Sequence, residues 1–275
     1  MGKILITGAS GTIGSQLART MLSTHDILCL SRRRPDAPAP FVQGAFHSPD
    51  DLRRLDDEEI DAVIHLAAVT GGCSEDDGMQ VNVEGTRQLL RYLTDKGCRR
   101  FVLASSFAVV GIASKDFRPL QLPIPDAHPC LARDAYGFTK YLMEETARYY
   151  ARRYTDMDVV SFRIGAVAAD DATLTPRPAG EHGDWALASV SLIRAADVVR
   201  LLRKAVDSPP KPGVRVLNAT ARQALVLESV PEVARKWYPD VADGLDLSFY
   251  DRPGHERDSF FDIRGAKAEF GFDPE

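Results

Sequence analysis

No stretch of the chain runs 18 residues without polar interruption, and the opening residues read straight into a strand. Neither a membrane-spanning helix nor a signal peptide is therefore expected, and a cytoplasmic location follows. Cysteine is sparse: Cys29, Cys73, Cys98 and Cys130 are scattered, with no C-x-x-C pair and no histidine cluster nearby. That excludes a disulfide framework and offers no metal-ligand spacing; the thiols read as core or half-buried groups in a reducing compartment. Internal repeats and low-complexity tracts are missing too, Pro35–Pro40 being only a short stiff loop. Positive charge is in deficit: a net charge of −5 argues against a general nucleic-acid binder. What remains is ordinary globular composition, 44% hydrophobic and 27% charged over 275 residues. A chain of this length buries roughly 70–75% of its unfolded surface and needs no staple.

The apolar pattern alternates between short strand-like runs and longer helical ones. Strands are expected at 3–7, 26–30, 41–43, 61–66, 100–104 and 158–162, with helices at 12–23, 79–95 and 133–154. Alternation of this kind requires parallel pairing, and near-continuous apolar strands fit a sheet covered on both faces. The fold class is α/β: a Rossmann, doubly wound parallel sheet. Residues 1–165 form the dinucleotide-binding core. Residues 166–275 complete the sheet, with a helix at 195–206, a strand at 214–217 and a helix at 228–238, and supply a small C-terminal substrate-binding region.

Between the first strand and first helix, Gly8, Gly11 and Gly14 are spaced G-x-x-G-x-x-G, enclosing Ser10, Thr12 and Ile13. A tight turn, close backbone approach to a pyrophosphate and hard packing of helix on strand all demand glycine there. At the end of the second strand, where NAD binders place a carboxylate for the ribose 2′-hydroxyl, stand Ser31 and Arg32, then Arg33 and Arg34. An arginine fork matches a phosphate, so NADP(H) is the expected cofactor and NAD(H) the alternative. A solvated basic loop is the plainer reading of the same run.

Tyr136 and Lys140 form a Y-x-x-x-K element near the start of a long helix, so both lie on one face. The ammonium is expected to lower the phenol pKa toward neutrality, letting tyrosine exchange a proton with a substrate oxygen. Ser105 and Ser106 follow the fifth strand, at the edge where a nicotinamide must lie.

Together with His65-Leu66-Ala67-Ala68, Asn82-Val83-Glu84-Gly85-Thr86, Ser105–Gly111 and Phe162-Arg163-Ile164-Gly165, these motifs resemble the extended short-chain dehydrogenase/reductase family. That family comprises NAD(P)-dependent epimerases and dehydratases, and the motifs come in its order over the first two-thirds of the chain. The resemblance implies that Ser106 hydrogen-bonds the substrate oxygen, Tyr136 moves the proton and Lys140 holds the nicotinamide ribose. It also implies that Leu66, Ala67 and Ala68 pass beside the cofactor, where a core-strand reading serves equally. Asn82 would position helix and water near Lys140, or act as a structural cap.

Departures are informative. The Asp that follows Gly after the third strand in the family is Ala45 here, and the Tyr before the glycine of the serine motif is Val110. Phe107 and Ala108 stand where family dehydratases carry an Asp-Glu pair, so dehydration ranks low. Little chain remains after Gly165, which favours a small substrate, and the run to Arg200 is similar to the family's short uronate dehydrogenases. Thr70, Phe107, Arg163, His182 and Trp185 are the candidate substrate contacts. Three functions stand open. The first is an oxidoreductase interconverting alcohol and carbonyl on a small polar, sugar-derived molecule; the second is a nucleotide-sugar epimerase; the third is a non-catalytic NADP(H) sensor. Neither a nucleic-acid nor a membrane partner is expected. The resemblance also implies a homodimer through the helices around 79–95 and 133–154, with Leu142, Met143 and Tyr149 serving that bundle or the core.

Overall fold

A computed structural model gives the fold and describes residues 2–275. In chain order the elements are β1 (Lys3–Thr7), α1 (Thr12–Met21), β2 (Ile27–Ser31), β3 (Phe41–Gln43), α2 (Pro49–Leu52), β4 (Ile60–His65), α3 (Glu75–Asp77), α4 (Gly85–Asp95) and β5 (Arg100–Ser106). They continue with α5 (Ala135–Arg153), β6 (Asp158–Ile164), β7 (Ala166–Ala168), β8 (Leu192–Arg194), α6 (Ala195–Asp207), β9 (Gly213–Ala219), α7 (Val230–Trp237) and α8 (Arg264–Phe270).

Seven strands pair in the order β3-β2-β1-β4-β5-β6-β9, every neighbouring pair parallel. This is the expected Rossmann sheet. The order reverses between β1 and β4, opening a crevice at the carboxyl ends of the strands. The period of two sends alternate side chains to opposite faces. Ile4, Ile6 and Ile64 meet Leu17 of α1 and Leu202 of α6 on one side. Leu5, Val63 and Phe101 meet Leu89 of α4 and Ala147 of α5 on the other. β2 and β6 are buried along their whole length, which explains the nearly uninterrupted apolar run of β2, whereas β6 also buries Asp158, Ser161 and Arg163.

Several boundaries differ from expectation for local reasons. The helix expected at 79–95 begins at Glu75, where Ser74 caps it, and passes through a π-helical stretch at Gly78–Glu84. β5 and β6 run on to Ser106 and Ile164, because they pair with each other residue for residue to the site edge. The three-residue pair β7–β8 and the seven-residue α8 are too short to carry a period.

A third apolar cluster lies beyond the sheet edge. It joins Phe107, Val110 and Phe117 to Trp237, Tyr238, Tyr250, Phe260 and Phe261. The C-terminal lobe therefore also takes in chain from 107 to 124, ahead of the expected boundary at 165. Its α7 starts with a capping box between Ser229 and Glu232. Among the described residues no helix is long and apolar enough to cross a membrane.

Candidate active site

The glycine turn shows why those positions hold glycine. Gly8 has φ +72°, and a Cβ there would meet the Ala67 backbone nitrogen at 2.7 Å. A Cβ on Gly14 would run into the Gly8 carbonyl. The turn leads into α1, whose N-cap Gly11 makes no side-chain cap and whose first turn holds no acid. First-turn amide groups and the positive dipole end are thus left for an anion.

Two cavities meet over this turn, sharing Gly8, Gly11 and Leu66. One, of about 520 Å³, is lined by Ser10, Ser31, Arg32, Arg33, Ala45, His47, Ala67, Ala68 and Thr70, among others. The other, about 410 Å³, is lined by Thr12, Ile13, Gly14, Ala104 and the Val167–Ala169 segment. The cradle fits a dinucleotide running across the switch point. Ser31 lines it, but its hydroxyl donates to the Arg33 carbonyl at 2.7 Å, which shapes the arginine turn instead of facing a ligand. Arg32 and Arg33 are exposed and form no ion pair among the described residues. Asn82 lines neither cavity. Its amide accepts from Val69 N at 2.9 Å and donates to Val69 O and Thr139 Oγ1, so it staples the loop after β4 to α5.

At the carboxyl edge of β5, Ser106 is buried and its hydroxyl accepts from the Ala108 amide at 3.2 Å. Asp134 caps α5 by accepting from Gly137 N at 2.8 Å, which fixes where Tyr136 emerges. Lys140, one turn on, is buried; its Nζ lies 5.8 Å from the Tyr136 ring centroid and donates to the Ala104 carbonyl at 2.8 Å. Burial pulls the Lys140 amine down to about 8, with Glu144 and Cys73 opposing. The phenol of Tyr136 is not lowered as expected. Burial pushes it up, Cys73 and Asp134 add to that, and the neighbouring Ser106 hydroxyl pulls the other way. The ammonium lies over the ring face and is spent on Ala104, so its benefit to a phenolate is small in the resting site.

Behind the site, Glu144 receives a bidentate pair from Arg163 at 3.0 and 2.9 Å and the Ser105 hydroxyl at 2.6 Å. Arg163 also donates to the carbonyls of Asp126 and His128. Arg163 is therefore a buried strut between β6, α5 and the 126–128 loop, and the expectation that it touches substrate is corrected. Phe107 is corrected likewise: it is buried in the lobe cluster, 5.6 Å from the Phe261 ring. His182 packs on Tyr238 and Trp237, at 4.9 and 5.8 Å between ring centroids. Thr70 does line the cavity, and the Trp185 ring reaches to 4.0 Å from the Cβ position of Gly71, across the cleft from the lobe. Trp185 holds φ +59°, an uncommon conformation for a bulky residue. Met143 is core, whereas Tyr149 and Phe138 are exposed on α5.

Sequence reading missed Cys73, whose Sγ lies against Gly78 beside Thr139 and whose thiol is pushed up by burial. It also missed Asp77, His47 and the 167–169 segment, since none sits in a recognisable pattern. His65 is structural: it bonds Thr7 Oγ1 at 2.6 Å and Thr86 Oγ1 at 3.1 Å, and burial drives its pKa down to about 3.

Residues 4–182 match the model of the NAD dependent epimerase/dehydratase family. The chain is 31% identical to a UDP-glucose 4-epimerase of Lactobacillus helveticus, over 63% of its own length and 57% of that protein. It is 30% identical to a D-erythronate dehydrogenase of Haemophilus influenzae, over 55% of its length and 50% of that protein. These matches span only about half of those curated relatives. An NAD-bound short-chain dehydrogenase/reductase superfamily protein from Agrobacterium tumefaciens superposes with a TM-score of 0.74 at 22% identity, covering 99% of this chain and 92% of that one. The chain belongs to the NAD dependent epimerase/dehydratase family.

Proposed function

We propose that the protein is an NADP(H)-preferring oxidoreductase that interconverts an alcohol and a carbonyl on a small polar, sugar-derived substrate. The convergence of Ser106, Tyr136 and Lys140 at the carboxyl edge of β5, beside the glycine turn, carries this reading. A bound nicotinamide supplies the hydride acceptor or donor. Ser106 donates to the substrate oxygen, and Tyr136 gives its phenolic proton to that oxygen in reduction or takes it in oxidation. Lys140 holds the ribose and supports the charge left on Tyr136. Thr70 and Trp185 face the substrate from opposite rims. Arg32 and Arg33, exposed on the cavity wall, favour a 2′-phosphate over a 2′-hydroxyl.

Kinship with a UDP-glucose 4-epimerase supports a second reading, an epimerase that keeps its cofactor. One experiment separates the two: denature purified protein and identify released nucleotide. An empty protein that binds NADPH more tightly than NADH, with the ratio falling roughly tenfold in Arg32→Ala, supports the oxidoreductase. Retained NAD or NADH overturns both the preference and the exchangeable cofactor. The exposed Phe138 and Tyr149 of α5 support a homodimer through that helix; light scattering that returns a monomer at micromolar concentration overturns it.

A further inference from the structure

His47 lines the same cavity as Ser31, Arg32 and Arg33 but belongs to none of the family motifs. Its position is fixed by packing. Its Cβ is close enough to Gly85 that a Cβ there would approach to 2.6 Å, and its ring meets Phe46 edge-on with centroids 5.2 Å apart. Nδ1 is buried with no hydrogen-bond partner, so contact with a ligand falls to Nε2, which makes no hydrogen bond to the protein. Burial and the Arg32 charge hold the ring below its ordinary pKa, opposed by Asp51 on α2. Glu84, next to Gly85 in the chain, is committed to Arg87 and Gln88. The imidazole is accordingly neutral at pH 7 while the cavity holds no anion.

We propose that His47 is a specificity-determining residue for the 2′-phosphate of NADP(H), taking up a proton when that phosphate settles beside Arg32 and Arg33. The inference rests on the NADP(H) preference proposed above. A dianion entering between two guanidinium groups and a neutral imidazole reverses the field that Arg32 imposes, and the protonated ring then adds a charge-assisted donor. A cofactor with a 2′-hydroxyl brings no charge and gains nothing from the protonated ring. The wall thus distinguishes the two cofactors by a proton as well as by fixed arginines.

The test is binding of NADPH and of NADH to the full chain between pH 6 and 8, by calorimetry in two buffers of different ionisation enthalpy. Wild type is expected to take up a fraction of a proton with NADPH and none with NADH. Its NADPH affinity is expected to fall about threefold to tenfold from pH 6 to 8. The second ionisation of a phosphate near pH 6 acts in the opposite direction, so the sign identifies the histidine. His47→Asn and His47→Gln are expected to lose the uptake and the fall while binding NADH within about twofold of wild type. Equal loss of NADPH and NADH binding in both variants assigns the ring to the adenine and overturns the proposal. An NADPH preference that depends on Arg32, with unchanged proton uptake in the variants, overturns the role of His47 alone. Wild type that binds NADH as tightly as NADPH overturns the cofactor preference and this inference with it.

Discussion

The two rims of the cleft are built by different means. On the sheet rim, groups are placed by backbone: the Gly8 turn abuts the Ala67 amide, Lys140 is held by the Ala104 carbonyl, and Tyr136 emerges from the first turn of a capped 19-residue helix. On the lobe rim, placement comes from side chains packing on side chains. Trp237 stacks on Phe260 at 6.0 Å and donates to Gly180 O at 2.9 Å, and His182 leans on both Trp237 and Tyr238. Backbone placement tolerates little change, because shifting one strand end shifts its hydrogen-bonded neighbours. Aromatic packing admits substitution with repacking. Under the proposed function the first rim carries the chemistry and the second the selectivity, and substitutions on each rim should read out differently.

The largest effect is expected on the sheet rim. Tyr136→Phe keeps the ring and its packing under Lys140 but removes the proton. The turnover number is expected to fall roughly 10²–10⁴-fold with cofactor affinity within about twofold. Full activity in this variant would place the proton transfer elsewhere. The same rim sets a pH limit. Lys140, pulled to about 8, loses its charge as pH rises through that value, and carbonyl reduction should decline with it. On the lobe rim, Trp185→Ala is expected to raise KM about tenfold and leave kcat within about threefold, since the role proposed for the ring is substrate contact and no chemistry. Steady-state kinetics once a substrate is in hand would show it. A matching collapse of kcat would erase the distinction between the rims.

The same contrast governs how much was legible in the sequence. Strand positions, the glycine turn and the Tyr136/Lys140 pair follow from local patterns: short apolar runs, a steric need for glycine and an i, i+4 spacing. Arg163 and Phe107 were misread because sequence gives their nearness to the site edge and not their partners. Glu144, which claims Arg163, lies 19 residues away, and Phe261, which packs on Phe107, lies more than 150 residues further along the chain. Cys73 and His47 escaped for the same reason. Each is an ordinary loop residue until Gly78 and Gly85, on the helical run after β4, bring neighbours against it.

The seam between the rims offers the smallest and most specific test. Asp126 accepts from the Asn218 backbone N–H at 2.6 Å, its second oxygen is pressed against Gly265, and its carbonyl receives Arg163. It therefore ties the lobe to β9 and to the strut behind the site. Burial raises its carboxyl to about 6, the Asn218 amide opposes this, and Asp262 adds like charge. A carboxyl whose folded pKa lies above its unfolded value, near 3.9, favours folding in its protonated form. That contribution is full below pH 4, is lost as pH rises through 6, and is absent at pH 7. Asp126→Asn keeps an acceptor for the Asn218 amide without a charge to bury. Relative to wild type it should gain about 1 kcal/mol between pH 4.5 and pH 7, allowing for partial solvent screening. Urea unfolding of both proteins at the two pH values measures this, because titrating groups not coupled to Asp126 are common to both and cancel. A difference that does not change with pH would show that Asp126 titrates normally and that the seam is held by shape alone.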